Sequence, residues 1–349
     1  MEKISYAKTV YGQEEIEAVV KCLNESTQMG NYSRQFESEI AALFAKKACL
    51  YVNSGSSALY IGIESLDFKE GSEVITPALT FGTTVGCLIK NNLIPVFVDV
   101  EPLSYCIDPD KIEEMISDKT VAILAPNLMG NICNWEKISE IAKKYNLKVI
   151  EDSADTIGYQ VNGKNFGKYS DISTTSFYAS HIITGAGFGG MVCFNDKKLY
   201  EDAKVLRGWG RSSAVFNESE DIKKRFSAKV SGIQYDGKYI FLKMGYNFIP
   251  SEISAAFGLE QLKKLKKNID TRVRNFKFLH NFFSRFKNIV NLPESNQNTK
   301  TGWLAFPLTI KNNLKFNRKD FQIFFEKNNI QTRTIFTGNI LKQPAMKGL

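Results

Sequence analysis

The sequence predicts an α/β protein with a large mixed-sheet first part, residues 1–245, and a smaller α/β second part, residues 246–349. Three observations carry that prediction. Helical patterns alternate with short β-branched runs from about residue 12 to 200, a polar and weakly patterned interval interrupts the rhythm at 207–243, and helix-like and strand-like segments resume after it. With 349 residues, 43% hydrophobic and 12% aromatic, the chain is long and apolar enough to bury a sizeable core.

The strand-like runs fall at 73–76, 95–100, 121–126, 148–152, 173–177 and 190–194. Between them, Asp108 followed by Pro109 reads as the start of a helix over 109–117, and 135–145 carries apolar residues at helical spacing. A long helical pattern from 251 to 286 is expected to kink or divide. The second part then offers a strand-like WLAFPLTI at 303–310, a helix near 317–327 and a strand-like IQTRTIF at 330–336.

Composition narrows the function classes. No stretch approaches 18 apolar residues and the N-terminus has no apolar signal-like run, so a cytoplasmic chain without a membrane span is expected. The net charge of +8 comes from dispersed lysines, and runs such as Lys263, Lys264, Lys266 and Lys267 read as a solvated helix face rather than a nucleic-acid footprint. The six cysteines contain no CxxC pair, which argues against a zinc site or disulfide framework and for buried reduced thiols.

Three segments carry candidate chemistry. In VNSGSSAL, Gly55, Ser56 and Ser57 lie between a strand-like run and a helix, where free N–H groups and hydroxyls can hold a phosphate; the same turn also suits ordinary capping. In KVIEDSADTIG, Asp152 ends a buried strand, where a carboxylate can meet a protonated pyridine nitrogen or cap the following turn. In TTSFYASHIITGAGFGG, Ser176 and His181 precede a glycine-rich turn and can line one pocket edge. The other histidine, His280, lies in the amphipathic FKFLHNFFSRF and reads as a packed helix residue.

Taken in order, FESEIAALF, VNSGSSAL, EVITPALTFGTT, IPVFVDV, VIEDSADTIG, SFYASH with its glycine turn and GYNFIPSEISAAFGLEQL resemble the DegT/DnrJ/StrS sugar aminotransferases along nearly the whole chain. That resemblance implies the type I pyridoxal phosphate-dependent aminotransferase fold. It assigns Ser56, Ser57 and Ser176 to the cofactor phosphate, Phe81 to the pyridine face, Asp152 to the ring nitrogen and Asp155 to the neighbourhood of the ring hydroxyl. Asn247 matches a position that usually reaches the phosphate of a neighbouring subunit, which implies a homodimer with its active site at the interface; a turn asparagine is the other reading.

His181 stands where family members carry the lysine that forms a Schiff base with the cofactor. Imidazole makes no such stable bond, yet moves protons near neutral pH, which fits pyridoxamine phosphate held noncovalently. With STQMGNYSRQFE, EDSADTIG, LRGWGR and RTIFTGNILKQP, this substitution resembles the deoxysugar 3-dehydratase subgroup. The resemblance implies removal of the C3 hydroxyl from a nucleotide-linked 4-keto-6-deoxyhexose, with His181 as acid and base and L-glutamate regenerating pyridoxamine phosphate from pyridoxal phosphate.

Arg333, Asn339 and Gln343 are candidate substrate contacts or ordinary surface residues. One dehydratase branch holds a [2Fe–2S] cluster on four cysteines, several of them downstream of the glycine turn; here none follows Cys193, so no cluster and no other metal is expected. Two departures stand out: the turn reads GAGFGG rather than GEGG or GDGG, and the second part is expected to be truncated at its C-terminus. The competing expectations are a sugar aminotransferase whose lysine has been replaced and a non-catalytic cofactor-binding member of the fold.

Overall fold

The computed structural model describes residues 2–163, 165–296, 299–312 and 314–348. The chain opens with α1 (Gln13–Glu25) and α2 (Asn31–Leu43), then alternates β1 (Ala48–Val52), α3 (Gly55–Glu64), β2 (Glu73–Pro77), α4 (Gly82–Lys90), β3 (Ile94–Val98) and β4 (Thr120–Pro126). It continues through α5 (Trp135–Lys144), β5 (Lys148–Asp152), the two-residue β6 (Gln160–Val161), β7 (Ile172–Ser176), β8 (Gly190–Phe194) and α6 (Lys197–Arg207).

Seven of these strands form one sheet in the order β1-β8-β7-β5-β4-β2-β3. The pairings from β7 through β5, β4 and β2 to β3 are parallel, whereas β8 runs antiparallel to both β1 and β7. Strand periodicity sends alternate side chains to opposite faces, and both faces are covered. Tyr51, Ile75, Ile123, Val149 and Phe177 join one buried cluster with Phe36, Ile40 and Trp135. Leu50, Val52, Val74, Leu124, Ile150 and Val192 join a second with residues of α3, α4 and α6.

Beyond the sheet come α7 (Ile222–Arg225), the pair β9 (Lys229–Val230) and β10 (Ile233–Gln234), then α8 (Glu252–Lys263) and α9 (Leu265–Phe283). The long helical pattern divides at Lys264, as expected. Short strands β11 (Val290–Asn291), β12 (Thr299–Lys300) and β13 (Thr309–Ile310) precede α10 (Arg318–Lys327); β11 pairs with β13, and β12 with β6. Helix α8 is buried against the N-terminal helices. Glu252, 2% exposed, accepts hydrogen bonds from the backbone N–H of Gly30 (2.8 Å), Tyr32 (2.7 Å) and Ser33 (3.2 Å) and from the Ser33 hydroxyl (2.5 Å). This carboxylate supplies the N-terminal cap that Gly30 has no side chain to give α2.

Four expectations need correction. Residues 109–117 form two tight 3-10 turns, Pro109–Lys111 and Glu113–Met115, rather than one helix, because Pro109 and Ile112 alone among their side chains are buried. In 303–310 only Thr309 and Ile310 enter a strand: Pro307 has no N–H to donate, Trp303 has φ +55°, and the Leu304 N–H bonds the Met129 carbonyl at 2.6 Å. In 330–336 a single bridge, Ile330 to Ile4, replaces the expected strand, and the Thr332 N–H bonds the Glu326 carboxylate at 2.6 Å. Finally, Cys49 and Cys193 are joined in a disulfide rather than reduced. They face each other in the β1–β8 register, a relation hidden by 144 residues of sequence separation. Cys22, Cys87, Cys106 and Cys133 are free and buried.

Candidate active site at the carboxyl edge of the sheet

The parallel strands all end on one edge, and the candidate residues follow those ends: the serine turn after β1, Phe81 after β2, Met129 after β4, Asp152 and Asp155 at and after β5, and Ser176 with His181 at and after β7. Open α/β sheets collect ligands at such an edge. Because β8 is antiparallel, its start lies there too. Gly189, just before it, has φ +114°, and a Cβ at that position would lie 2.6 Å from the Tyr51 hydroxyl, so the final glycines of GAGFGG answer to close packing as well as to turn geometry.

The serine turn opens the ten-residue helix α3. Ser54 is its cap, accepting from the Ser57 N–H at 3.1 Å, and the Ser57 hydroxyl donates to Asn53 Oδ1 at 2.6 Å. Ser57 is thus turned toward its own chain, while Ser56 in the same first turn is exposed. A Cβ at Gly55 would sit 2.6 Å from that of Ser176, which shows how tightly this helix start abuts the end of β7. Phe81 caps α4 and keeps 53% of its surface exposed, its ring edge-on to Phe336 at 5.9 Å between centroids.

Asp152 is buried and accepts from the Thr84 hydroxyl (2.9 Å) and the Ala154 N–H (3.1 Å). Burial pushes its pKa up, and these two bonds offset part of that rise. Asp155 accepts the Met129 N–H at 2.8 Å on Oδ2, and its Oδ1 lies 3.8 Å from His181 Nε2. Burial pushes Asp155 up to about 7; the Met129 bond opposes that, the Asp152 charge adds to it, and the Arg272 guanidinium draws it down. Burial likewise pushes His181 down to about 4, against the effect of its Nδ1 contact with the Ser176 carbonyl at 3.2 Å. At neutral pH the imidazole is therefore an unprotonated base beside a carboxyl near its titration midpoint.

The second part of the chain lies against this edge. Thr337 donates its hydroxyl to the Thr80 carbonyl (2.8 Å), and the Ile340 N–H bonds the Ala78 carbonyl (3.0 Å), which sets RTIFTGNI beside Phe81. Arg333 is exposed and stacked over Tyr6 at 5.3 Å. Asn339 caps the short turn Ile340–Lys342, and Gln343 donates to the Thr337 carbonyl (2.9 Å), so both side chains serve local structure. Asn247 is exposed, and the neighbouring Phe248 carbonyl accepts the Asn53 N–H at 3.0 Å, anchoring GYNF to the start of the serine turn. His280 stands on α9 against Phe276, its ring 6.0 Å away.

Sequence reasoning passed over Tyr6, Thr84, Met129 and Arg272. Thr84 was visible as the second threonine of FGTT, one turn into a helix. Met129 acts through its backbone at φ +54°, and Arg272 sits in a stretch resembling the solvated basic helix around it, so neither carried a signal. Among the described residues, no group of three or more His, Cys, Asp or Glu side chains could hold a metal ion, and no helix is long and apolar enough to cross a membrane.

The mixed sheet and the residues gathered at its edge define a protein of the pyridoxal phosphate-dependent aminotransferase fold. Residues 10–349 match the DegT/DnrJ/EryC1/StrS aminotransferase family, and the chain belongs to it. It is 34% identical over 347 residues to the lipopolysaccharide biosynthesis protein RfbH of Salmonella typhimurium, covering 96% of this chain and 79% of that one. It is 32% identical over 346 residues to GDP-4-keto-6-deoxy-D-mannose 3-dehydratase of Yersinia pseudotuberculosis, covering 96% and 85%. Its structure is similar to that of the E. coli GDP-4-keto-6-deoxy-D-mannose-3-dehydratase with bound hydrated PLP, with a TM-score of 0.85, 29% identity and coverage of 99% of this chain and 88% of that one.

Proposed function

We propose that the protein removes the C3 hydroxyl of a nucleotide-linked 4-keto-6-deoxyhexose, using pyridoxamine phosphate. The observation that carries this reading is His181: SFYASHIITGAGFG contains no lysine, and its one imidazole lies 3.8 Å from Asp155 at the sheet edge. The donor set fits a phosphorylated pyridine: a buried carboxylate, an exposed aromatic ring, a serine-rich helix start and a neutral base.

When bound, pyridoxamine phosphate supplies an amine that condenses with the C4 ketone and a ring that accepts the electrons released. Gly55, Ser56 and Ser176 would hold its phosphate, with Ser57 joining them once its hydroxyl turns from Asn53, and Phe81 would cover a ring face. Asp152, kept in place by Thr84 and Ala154, would hold a proton on the ring nitrogen. His181 takes up one proton as a neutral base and returns it to the departing C3 oxygen, which leaves as water. The Ser176 carbonyl, 3.2 Å from Nδ1, holds the imidazole in place, and the Asp155 carboxyl, 3.8 Å from Nε2, acts on it as a nearby charge. L-Glutamate then restores the amine after the 3-deoxy keto-sugar and ammonia are released. A homodimer in which Asn247 reaches the partner's phosphate site, a division of the chain at 245/246 and a substrate contact from Arg333 belong to the same proposal. The relative named as a GDP-4-keto-6-deoxy-D-mannose 3-dehydratase supports it.

The test is to add pyridoxal phosphate and L-glutamate, follow absorbance as pyridoxamine phosphate forms, then offer nucleotide-linked 4-keto-6-deoxysugars and weigh the products. Loss of the C3 oxygen is expected. An amino-sugar product contradicts the reading, and an unchanged sugar favours a binding role.

A further inference from the structure

The N-terminal residues 4–11 cross the molecule as a tethered strap. At one end the Ile4 N–H bonds the Asn329 carbonyl (2.8 Å), the Gln331 N–H returns to the Ile4 carbonyl (3.0 Å), and the Tyr6 N–H bonds Gln331 Oε1 (3.1 Å). Further along, the Thr9 hydroxyl donates to the carbonyl of Ala179, two residues before His181, at 2.9 Å. Gln261 then bonds the Val10 carbonyl (2.9 Å), and Tyr11 packs on Phe257 with centroids 5.5 Å apart.

Tyr6 lies between those tethers, joining the segment that carries Arg333 to the turn that carries His181. Tyr6 keeps 45% of its surface exposed although the backbone on both sides is fixed. The Arg333 guanidinium covers the ring at 5.3 Å. A planar cation that suits a diphosphate and a phenol that suits a sugar hydroxyl therefore stand together on a strap anchored at Ala179, two residues before His181.

We propose that the strap is a wall of the substrate site and that the Tyr6 hydroxyl is a specificity-determining hydrogen-bond donor to the sugar of a nucleotide-linked keto-hexose, with Arg333 held over the Tyr6 ring to meet the diphosphate. This rests on the substrate class proposed above. Burial and the Asp155 charge push the phenol's pKa up and the Arg333 guanidinium offsets only part of that rise, so it remains a donor through the neutral range.

The experiment uses the full chain loaded with pyridoxamine phosphate and compares Tyr6→Phe and Tyr6→Leu with the wild type. Calorimetric binding of GDP-4-keto-6-deoxymannose and dTDP-4-keto-6-deoxyglucose is measured beside the glutamate half-reaction, sugar turnover and melting temperature. Tyr6→Phe is expected to weaken binding of the preferred sugar about tenfold, as for one lost hydrogen bond in a site built around it, with the glutamate half-reaction and melting temperature unchanged. Tyr6→Leu, which also removes the ring beneath Arg333, is expected to weaken it further. Unchanged sugar binding in Tyr6→Phe, or an equal fall in the glutamate half-reaction, overturns the proposal. A wild type that binds sugar without removing its hydroxyl, but loses that binding in Tyr6→Phe, sinks the dehydratase reading and leaves this one standing. Binding of neither sugar by the wild type overturns both.

Discussion

Glu151 and Asp155 lie four residues apart, are both buried, and are both pushed upward in pKa by burial, yet their surroundings differ. Glu151 accepts from the hydroxyls of Ser153 (2.5 Å), Ser173 (2.8 Å) and Ser170 (3.1 Å) and faces the buried Lys46, which in turn bonds Ser170. Its oxygens are taken up by a network in which the serines also bond one another, Gly167 and Asn127. Asp155 has one backbone donor, an imidazole too distant for a full hydrogen bond and a guanidinium acting through space. Burial alone therefore does not mark a working carboxylate. The mark is buried acceptor capacity that the fold leaves uncommitted.

The comparison breaks most visibly in activity. Asp152→Asn removes the carboxylate assigned to the ring nitrogen, and sugar turnover is expected to fall by roughly 10²–10⁴ with the fold intact, as single-turnover rates and circular dichroism will report. Glu151→Ala should act on stability instead. It leaves the buried hydroxyls of Ser153, Ser170 and Ser173 without their common acceptor, at a cost of about 1–3 kcal/mol in denaturant unfolding; a cost below about 0.5 kcal/mol would show that the serine network is not structural.

Asp155→Asn sharpens the contrast through pH. The folded-state pKa of Asp155, about 7, lies above its unfolded value, so the native state holds the extra proton and this contribution to stability is lost as pH rises from about 4 through about 7. The variant escapes that loss. Its stability relative to wild type should grow over this window, by at most about 4 kcal/mol for a shift of this size. A flat difference would mean that Asp155 is already ionised at low pH. The depressed pKa of His181 acts in the opposite sense, its contribution being present above about 6.5 and lost as pH falls through about 4, and it is common to both proteins.

A smaller effect tests the motif LRGWGR. Gly210 has φ +83°, and a Cβ there would meet the Lys243 carbonyl, so Gly210→Ala should cost about 1–3 kcal/mol in unfolding without changing cofactor binding.

The alternating sheet was legible because each strand is a short β-branched run with two buried faces, and the candidate residues were legible as a group because they follow strand ends in motifs that keep their order. What stayed hidden depends on distant backbone. Met129 contributes an N–H rather than a side chain, the Cys49–Cys193 pairing depends on register, and Tyr6 is tethered by hydrogen bonds of its strap to residues 329–331. The failed strand at 303–310 has the same origin, since the Leu304 N–H is spent on Met129, in the loop that supports Asp155.

The central claim is that His181 faces the reactive carbon of the cofactor, and His181→Lys tests it most directly. With pyridoxal phosphate and borohydride, the variant should retain the mass of the reduced cofactor at position 181, while the wild type retains none there. A variant that binds pyridoxal phosphate with its phosphate site intact, yet fixes no cofactor at position 181, would contradict the account.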